Sequence, residues 1–237
     1  MSTPVNTKIS PALDPENILA LEGYSDETAS FVGPVFSAFN DAYITIGKLH
    51  EAAALWRDNP AVTPENAILI VSKEGDKQRD RLLRGMDSAL RGVEANITHA
   101  EAELSKPLEA RALGTLNAEI RSHARSLSRE ERYKLLREAI DADDDTTVAS
   151  ILAAPPYLSG LSQVDHAHHL HTYHARRNPN MVARLTLLRA ARDKIDRDGR
   201  LVLKEIRKAV GADAKRVQAI DKADAAARAA LKIEPTA

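Results

Sequence analysis

The chain has 237 residues, with 33 Lys plus Arg against 34 Asp plus Glu and no cysteine, so disulfide frameworks and thiolate metal sites are excluded. With 43% hydrophobic and 28% charged residues, the composition is that of a globular protein and not of a chain disordered throughout. No stretch approaches the ~18 consecutive apolar residues of a membrane-spanning helix, and the N-terminus lacks the layout of a secretory signal. We therefore expect no membrane contact and an intracellular product.

The first domain, residues 1–30, is predicted to be an extended N-terminal arm. It contains Pro4, Pro11 and Pro15 and has no sustained hydrophobic period. Such a segment crosses a surface in extended or short helical pieces and becomes ordered only against something else.

A helix is predicted to begin at Gly33-Pro34 and to end at Asn59-Pro60. Its apolar residues recur at spacings of three and four and make one stripe. The stripe is unusually aromatic, which fits either the anchor of a core or a docking face for another protein. As an interface, it would use Phe36, Phe39, Tyr43 and Trp56.

A second helix is predicted to begin near Thr63-Pro64, and its later half carries a heptad seam. Pro107 is predicted to break this helix, and a similar stripe from Leu113 to Leu127 then suggests the return limb of an antiparallel helical hairpin. A single rod running through Pro107 is the alternative. We predict that the seam is a second protein interface, formed by Leu83, Met86, Leu90, Val93 and Ile97.

The middle of the chain has strong local helix signals. Ser128 and Glu131 form a capping box that predicts a helix over residues 129–141, and the acidic run 143–145 is predicted to open a short helix. The following Pro155-Pro156 is the predicted boundary between a helical bundle, 31–157, and a third domain, 158–237. That third domain is predicted to hold a His-rich helix and one long helix over 180–231, with a bend allowed at Gly199. The predicted fold class is all-α, an extended helical bundle.

Five histidines lie within nine residues, at spacings that place pairs of them on one helix face. Neutral imidazole pairs can bind zinc or nickel, but a stable site needs further ligands, so a His-rich turn at the surface or in an interface is the alternative. The candidate ligands are His166, His168, His169, His171 and His174.

Charge is distributed unevenly: residues 1–75 have 4 basic and 10 acidic side chains, whereas residues 176–216 have 13 basic and 5 acidic. The basic stretch could contact nucleic acid, although interleaved acidic residues favour a helix that faces acidic protein. Its candidate phosphate-binding residues are Arg176, Arg177, Arg184, Arg189 and Arg192.

Known catalytic and nucleotide-binding motifs are absent from the sequence, so we predict a protein that is not an enzyme and that has no cofactor or small-molecule substrate. One resemblance points to an origin. Residues 128–161 resemble a segment of helical proteins encoded by tailed phages and prophages of proteobacteria, through Ser128 to Arg132, Leu135, Ala139-Ile140, Asp144, Thr147-Val148, Ile151 to Pro155, and Leu158 to Leu161. The resemblance carries no catalytic residue. It implies a virion or assembly component.

The sequence therefore favours a non-enzymatic structural protein of a tailed phage virion, assembled in the host bacterial cytoplasm. Its partners would be other virion proteins and copies of itself, bound through the helical seams. One alternative is a nucleic-acid-binding or DNA-packaging accessory protein that uses residues 176–216. The other is a metalloprotein built on the histidine cluster.

Overall fold

A computed structural model describes residues 7–111 and 115–230, and in this part of the chain all regular secondary structure is helical. This confirms the all-α fold class. The α-helices are α1 Gly33–Arg57, α2 Pro64–Arg111, α3 Thr115–Ser126, α4 Arg129–Asp141, α5 Asp145–Leu152, α6 Gln163–Arg177, α7 Pro179–Asp198, α8 Leu201–Val210 and α9 Ala214–Ala230. Short 3₁₀ turns occupy Pro11–Leu13, Pro15–Ile18, Ala29–Phe31 and Pro156–Ser159.

The described chain divides into two compact units. The first unit comprises residues 7–21, 29–93 and 190–230, and the second comprises 22–28, 94–111 and 115–189. These limits differ from the predicted domains 1–30, 31–157 and 158–237. The predicted boundary at Pro155-Pro156 lies inside the second unit, because α5 and α6 on either side of the two prolines pack together.

In the first unit, α1 packs against α8 on one side and against the N-terminal 3₁₀ turns on another. Leu13, Ile18 and Phe39 are fully buried there. The described residues of this segment, 7–21, form short helical pieces as predicted, but they pack on α1 of the same chain rather than extend as an arm. The apolar side chains of this segment lie in short 3₁₀ turns, so the sequence shows no long hydrophobic period. These side chains are nevertheless buried by the chain itself. Pro4 lies outside the described residues.

Helix α2 continues through Pro107 to Arg111, so the predicted break at this proline is wrong. A proline inside a helix costs ~3 kcal/mol through its missing N–H and its ring. Leu104 and Leu108, on either side of it, are 7% and 2% exposed. Fully burying one leucine gains ~1.5–3 kcal/mol, so burial of the pair offsets the proline.

The predicted antiparallel hairpin is also not found. The chief neighbours of α3 are α5 and the Pro156–Ser159 turn, so α3 does not return along the seam of α2. Leu113, the first residue of the predicted return limb, lies outside the described residues.

The long C-terminal helix predicted over 180–231 is instead three helices. Helix α7 ends just before Gly199, where the sequence allowed a bend, and α8 ends at Gly211. Gly211 has a φ of +75° and caps α8 in the left-handed conformation that glycine adopts without strain.

Local signals placed α4 and α5 of the second unit correctly. Helix α4 spans the predicted residues, and both hydrogen bonds of the capping box are present. Asp144 caps α5 by accepting a hydrogen bond from the Thr147 amide. The core of this unit contains Leu108, Ala124, Leu136, Ala139, Ile140, Val148, Ala149, Ile151, Leu152, Leu161 and Tyr173.

Gly23 fixes the segment 22–28 against α7 within the second unit. Its φ is +83°, and a Cβ added there would lie 2.5 Å from the carbonyl oxygen of Ala183. We expect Gly23→Ala to destabilise the protein by at least ~2 kcal/mol, because both the backbone conformation and the backbone contact oppose a side chain. Urea unfolding followed by far-UV circular dichroism measures this loss.

Gly85 provides the matched control, because a Cβ there meets no atom within 4 Å. It lies inside α2, so Gly85→Ala should stabilise the protein by ~0.5–1 kcal/mol. Equal effects of the two substitutions would contradict the assigned role of Gly23.

Candidate protein-interaction site

The residues predicted to form protein interfaces are largely core residues. Phe39, Tyr43, Met86, Val93 and Ile97 are buried by the chain itself. Because a buried side chain cannot contact another protein, the interface prediction is wrong for these five. The other four are half-buried: Phe36, Trp56, Leu83 and Leu90.

The predicted phosphate-binding arginines mostly pair with carboxylates of their own unit. Arg176 donates to Asp143 at 3.2 Å, and Arg177 donates to Asp145 at 2.7 Å. These bonds hold the acidic run 143–145, at the start of α5, against the end of α6. The sequence predicted that the basic stretch faces an acidic protein. For these two arginines, the chain itself supplies the acidic groups.

Two more of the five arginines also have acidic partners. Arg189 donates to Glu101 at 2.7 Å in the second unit, and Arg192 donates to Asp193 at 2.8 Å in the first. Arg184 is half-buried. Guanidinium groups already paired with carboxylates are poorly placed to neutralise phosphates, so the structure weakens the nucleic-acid reading.

The histidine cluster is distributed around α6. His166 Nε2 lies 2.8 Å from the carbonyl oxygen of Leu152, His169 and His174 are buried, and His168 and His171 are exposed. In residues 7–111 and 115–230, no three His, Asp or Glu side chains are grouped so that they could hold a metal ion. The metal-site prediction therefore finds no support in the described geometry.

Burial also changes the titration of these histidines. Desolvation, followed by the charge of neighbouring imidazoles, lowers the pKa of His169 and of His174. In the first unit, desolvation and Lys208 lower the pKa of His50. The native state therefore opposes protonation at all three positions.

We predict a loss of stability in mild acid. A histidine whose pKa is lower in the native state than its unfolded value of ~6.5 contributes fully above that value, and its contribution is lost as pH falls below it. The urea midpoint should therefore fall between about pH 7 and pH 5. The double variant His169→Phe/His174→Phe should flatten this dependence, whereas His123→Gln, on the exposed surface of α3, should not. A slope that is the same in all three proteins would contradict the prediction.

One rigid surface feature of the second unit remains exposed and apolar. Tyr157, Leu158 and Val164 are 69%, 37% and 77% exposed, and they lie within eight residues of one another along the chain. We call these three residues the apolar corner. Large apolar side chains that stay exposed near one another along the chain are candidates for protein interaction sites.

The backbone of the apolar corner is held in one conformation. The Leu158 amide donates to the Pro155 carbonyl at 3.0 Å, and the Leu161 amide donates to the Pro156 carbonyl at 2.9 Å. Gly160 closes the turn with a φ of +71°, and its carbonyl accepts a hydrogen bond from the buried guanidinium of Arg132. Because hydrogen bonds already fix the backbone of this turn, binding through Tyr157 and Leu158 would cost little backbone entropy.

The start of α6 is fixed just as firmly, and it carries Val164. Ser162 caps the helix by accepting from the Asp165 amide at 3.1 Å. The Asp165 carboxylate accepts from Arg129 and from the Tyr133 hydroxyl, each at 2.8 Å. Hydrogen bonds from Arg129 and then Tyr133 lower the pKa of Asp165, so it is ionised at neutral pH and links α6 to α4.

The apolar corner was not among the sites predicted from the sequence. Pro155-Pro156 served only as a predicted domain boundary. One signal in the sequence could have indicated this site. A tyrosine and a leucine directly follow two prolines, which favours a turn over an amphipathic helix and so favours exposure of the two side chains.

No protein-family model matches the chain, and comparisons with curated proteins and with solved structures find no match either. Among the described residues, no helix combines the length and apolarity needed to cross a lipid bilayer.

Proposed function

We propose that this protein is a non-enzymatic assembly component of a tailed bacteriophage particle that binds neighbouring virion proteins, including further copies of itself. The observation that carries the proposal is the apolar corner, a rigid turn and helix start that expose Tyr157, Leu158 and Val164. Tyr157 and Leu158 lie in the segment that resembles phage-encoded helical proteins. These exposed side chains take the place of the five predicted interface residues that the chain itself buries.

The apolar corner suits a protein partner for physical reasons. Tyrosine anchors are enriched among the residues that dominate interface affinity, because they bury a large area with few rotatable bonds. Arg129, 73% exposed, lies beside the corner on its ion pair with Asp165 and supplies a polar rim. Burial of the three apolar side chains would supply affinity, and the charged rim would set orientation.

The test is incorporation into particles. A phage or lysogen from which the gene has been deleted is supplied with the chain in trans, and its particles are purified by density gradient and analysed by quantitative mass spectrometry. We expect several copies per particle. Val164→Glu should reduce incorporation by about tenfold or more, because it buries an unpaired carboxylate in the interface.

Leu55→Glu is the matched control, because Leu55 is 74% exposed on α1, away from the apolar corner along the chain. It should leave incorporation unchanged. Absence of the wild-type chain from purified particles would overturn the proposed function. Equal incorporation of wild type and Val164→Glu would overturn the assignment of the apolar corner as the binding surface.

A further inference from the structure

Helix α9 covers a groove in the first unit without filling it. The groove is about 750 Å³ in volume and is walled by α2 and α8, with α9 along its side. Its apolar lining comes from Leu69, Leu83, Leu203, Ile206 and Val210. None of the residues of α9 is buried, although Val217 lies against the groove.

The attachment of α9 to this groove is weak. Two ion pairs join it to α2: Lys73 with Asp221 at 3.5 Å and Arg216 with Glu65 at 4.0 Å. All four side chains are more than half exposed, and ion pairs of that kind contribute little to stability. A helix held by such contacts opens more readily than the buried core of the unit.

Charge is mixed where α9 meets the groove. The helix has four basic and two acidic side chains, a net charge of +2. The charged residues that α2 and α8 contribute to the groove are Lys73, Asp76, Arg79 and Arg207, also a net +2. Asp221 is the charged residue by which α9 lines the groove, and its carboxylate pairs with Lys73.

Two of the basic side chains that line the groove, Lys73 and Arg207, could pair with an acidic partner if α9 moved away. Arg79 is already engaged, since it lies 2.6 Å from Asp76 and 2.8 Å from Asp80. Lys73 pairs with α9 itself, and Arg207 has no acidic partner among the described residues. Displacement of α9 would leave Lys73 and Arg207 facing an apolar groove with no counter-charge.

We infer that this groove binds an acidic amphipathic helix of a neighbouring protein, and that α9 lies along the groove until such a helix displaces it. The apolar face of the incoming helix would pack on Leu83 and Leu203, the half-buried leucines of the groove lining, as helices do in apolar grooves. Its carboxylates would pair with Lys73 and Arg207. The inference rests on the proposed function only in taking the partner to be an adjacent virion protein.

The experiment uses the full chain and a fluorescein-labelled synthetic peptide of about 18 residues, with Leu at helical spacings of three and four and Glu on both flanks. A second peptide has Lys in place of Glu. In fluorescence anisotropy titrations, the acidic peptide should bind saturably. The Lys peptide should bind about tenfold more weakly or worse, because it meets like charge.

Variants locate the binding to this groove. Lys73→Glu/Arg207→Glu should weaken binding of the acidic peptide about tenfold or more and favour the Lys peptide instead. Lys77→Glu is the control, because Lys77 is on the same helix, 76% exposed and not among the groove-lining residues, and it should change nothing. Asp221→Lys removes a contact of α9 and should tighten binding at least about threefold, because the competing helix is released.

Hydrogen exchange tests the displacement directly. Peptide binding should speed exchange of the α9 amides, residues 214–230, while circular dichroism reports that each variant is folded. Saturable binding without faster α9 exchange, equal binding of both peptides, or equal binding to the double variant and the Lys77→Glu control would each overturn the inference. These measurements involve no phage particle, so their failure and the failure of the proposed function are separate results.

Discussion

Replacing Arg132 with Met is expected to destabilise the protein by about 3 kcal/mol or more, because each buried carbonyl oxygen left unpaired costs about 1–3 kcal/mol. Arg132 is only 8% exposed, and in the described part of the chain its hydrogen-bond partners are carbonyl oxygens. It donates to Ala124 and Leu127 at 2.7 Å each, to Arg125 at 3.4 Å, and to Gly160.

This arrangement explains why the substitution is costly. The last carbonyl groups of a helix have no partners within the helix, and three of these oxygens lie in or just after the last turn of α3. Methionine has a similar length but no donor, so it would leave buried carbonyl oxygens unpaired. It would also release the Gly160 carbonyl and loosen the apolar corner.

Urea unfolding followed by circular dichroism tests this expectation. Arg137 lies on the exposed face of α4, the helix that also contains Arg132, and Arg137→Met is the control. It should change the free energy of unfolding by less than ~0.5 kcal/mol. Arg132→Lys should give an intermediate loss, because an ammonium group lacks the planar fork that reaches several carbonyls. Equal losses for Arg132→Met and Arg137→Met would contradict the assigned role.

Removal of the Asp198 carboxylate is expected to have the second large effect. Lys194 Nζ lies 2.9 Å from Asp198 Oδ2, and the two side chains are 4% and 7% exposed. The same ammonium donates to the Ala12 carbonyl at 3.0 Å and lies 5.0 Å from the centre of the Phe39 ring. It therefore joins α7, α1 and the N-terminal segment of the first unit.

Asp198→Ala should cost about 3–5 kcal/mol, because it leaves a buried ammonium group without its counter-charge. The double variant Lys194→Met/Asp198→Leu, which removes both charges, should recover most of that loss. Asp193→Ala removes a 62% exposed carboxylate nearby and should cost less than ~1 kcal/mol. The three free energies of unfolding come from urea titrations, and a double variant less stable than Asp198→Ala would contradict the explanation.

Predictions made from neighbouring residues were accurate. Helix α4 has the predicted bounds, and α2 begins at the predicted Thr63 cap, because a cap acts on amides two or three positions away. Pro107 shows the limit of such rules. The local rule gives the cost of the proline, whereas the burial of Leu104 and Leu108 that offsets it depends on helices elsewhere in the chain.

The interface prediction failed for a related reason. A heptad or aromatic stripe indicates that a helix face will be buried, but not what will bury it. Phe39 and Met86 are covered within the chain, whereas Tyr157, which belongs to no stripe, is exposed on a turn. Exposure of a single side chain is decided by the three-dimensional packing around it.

By itself, the sequence determined the all-α class, the caps that begin α2, α4 and α5, and the uneven distribution of charge. These properties depend on composition or on residues a few positions apart. Only the tertiary structure decided which apolar residues form the core, that Arg176 and Arg177 face the acidic run before α5, and that α9 lies over an unfilled groove. The arginine and α9 contacts join residues more than 30 positions apart, where the free energy depends on packing geometry and not on local preference.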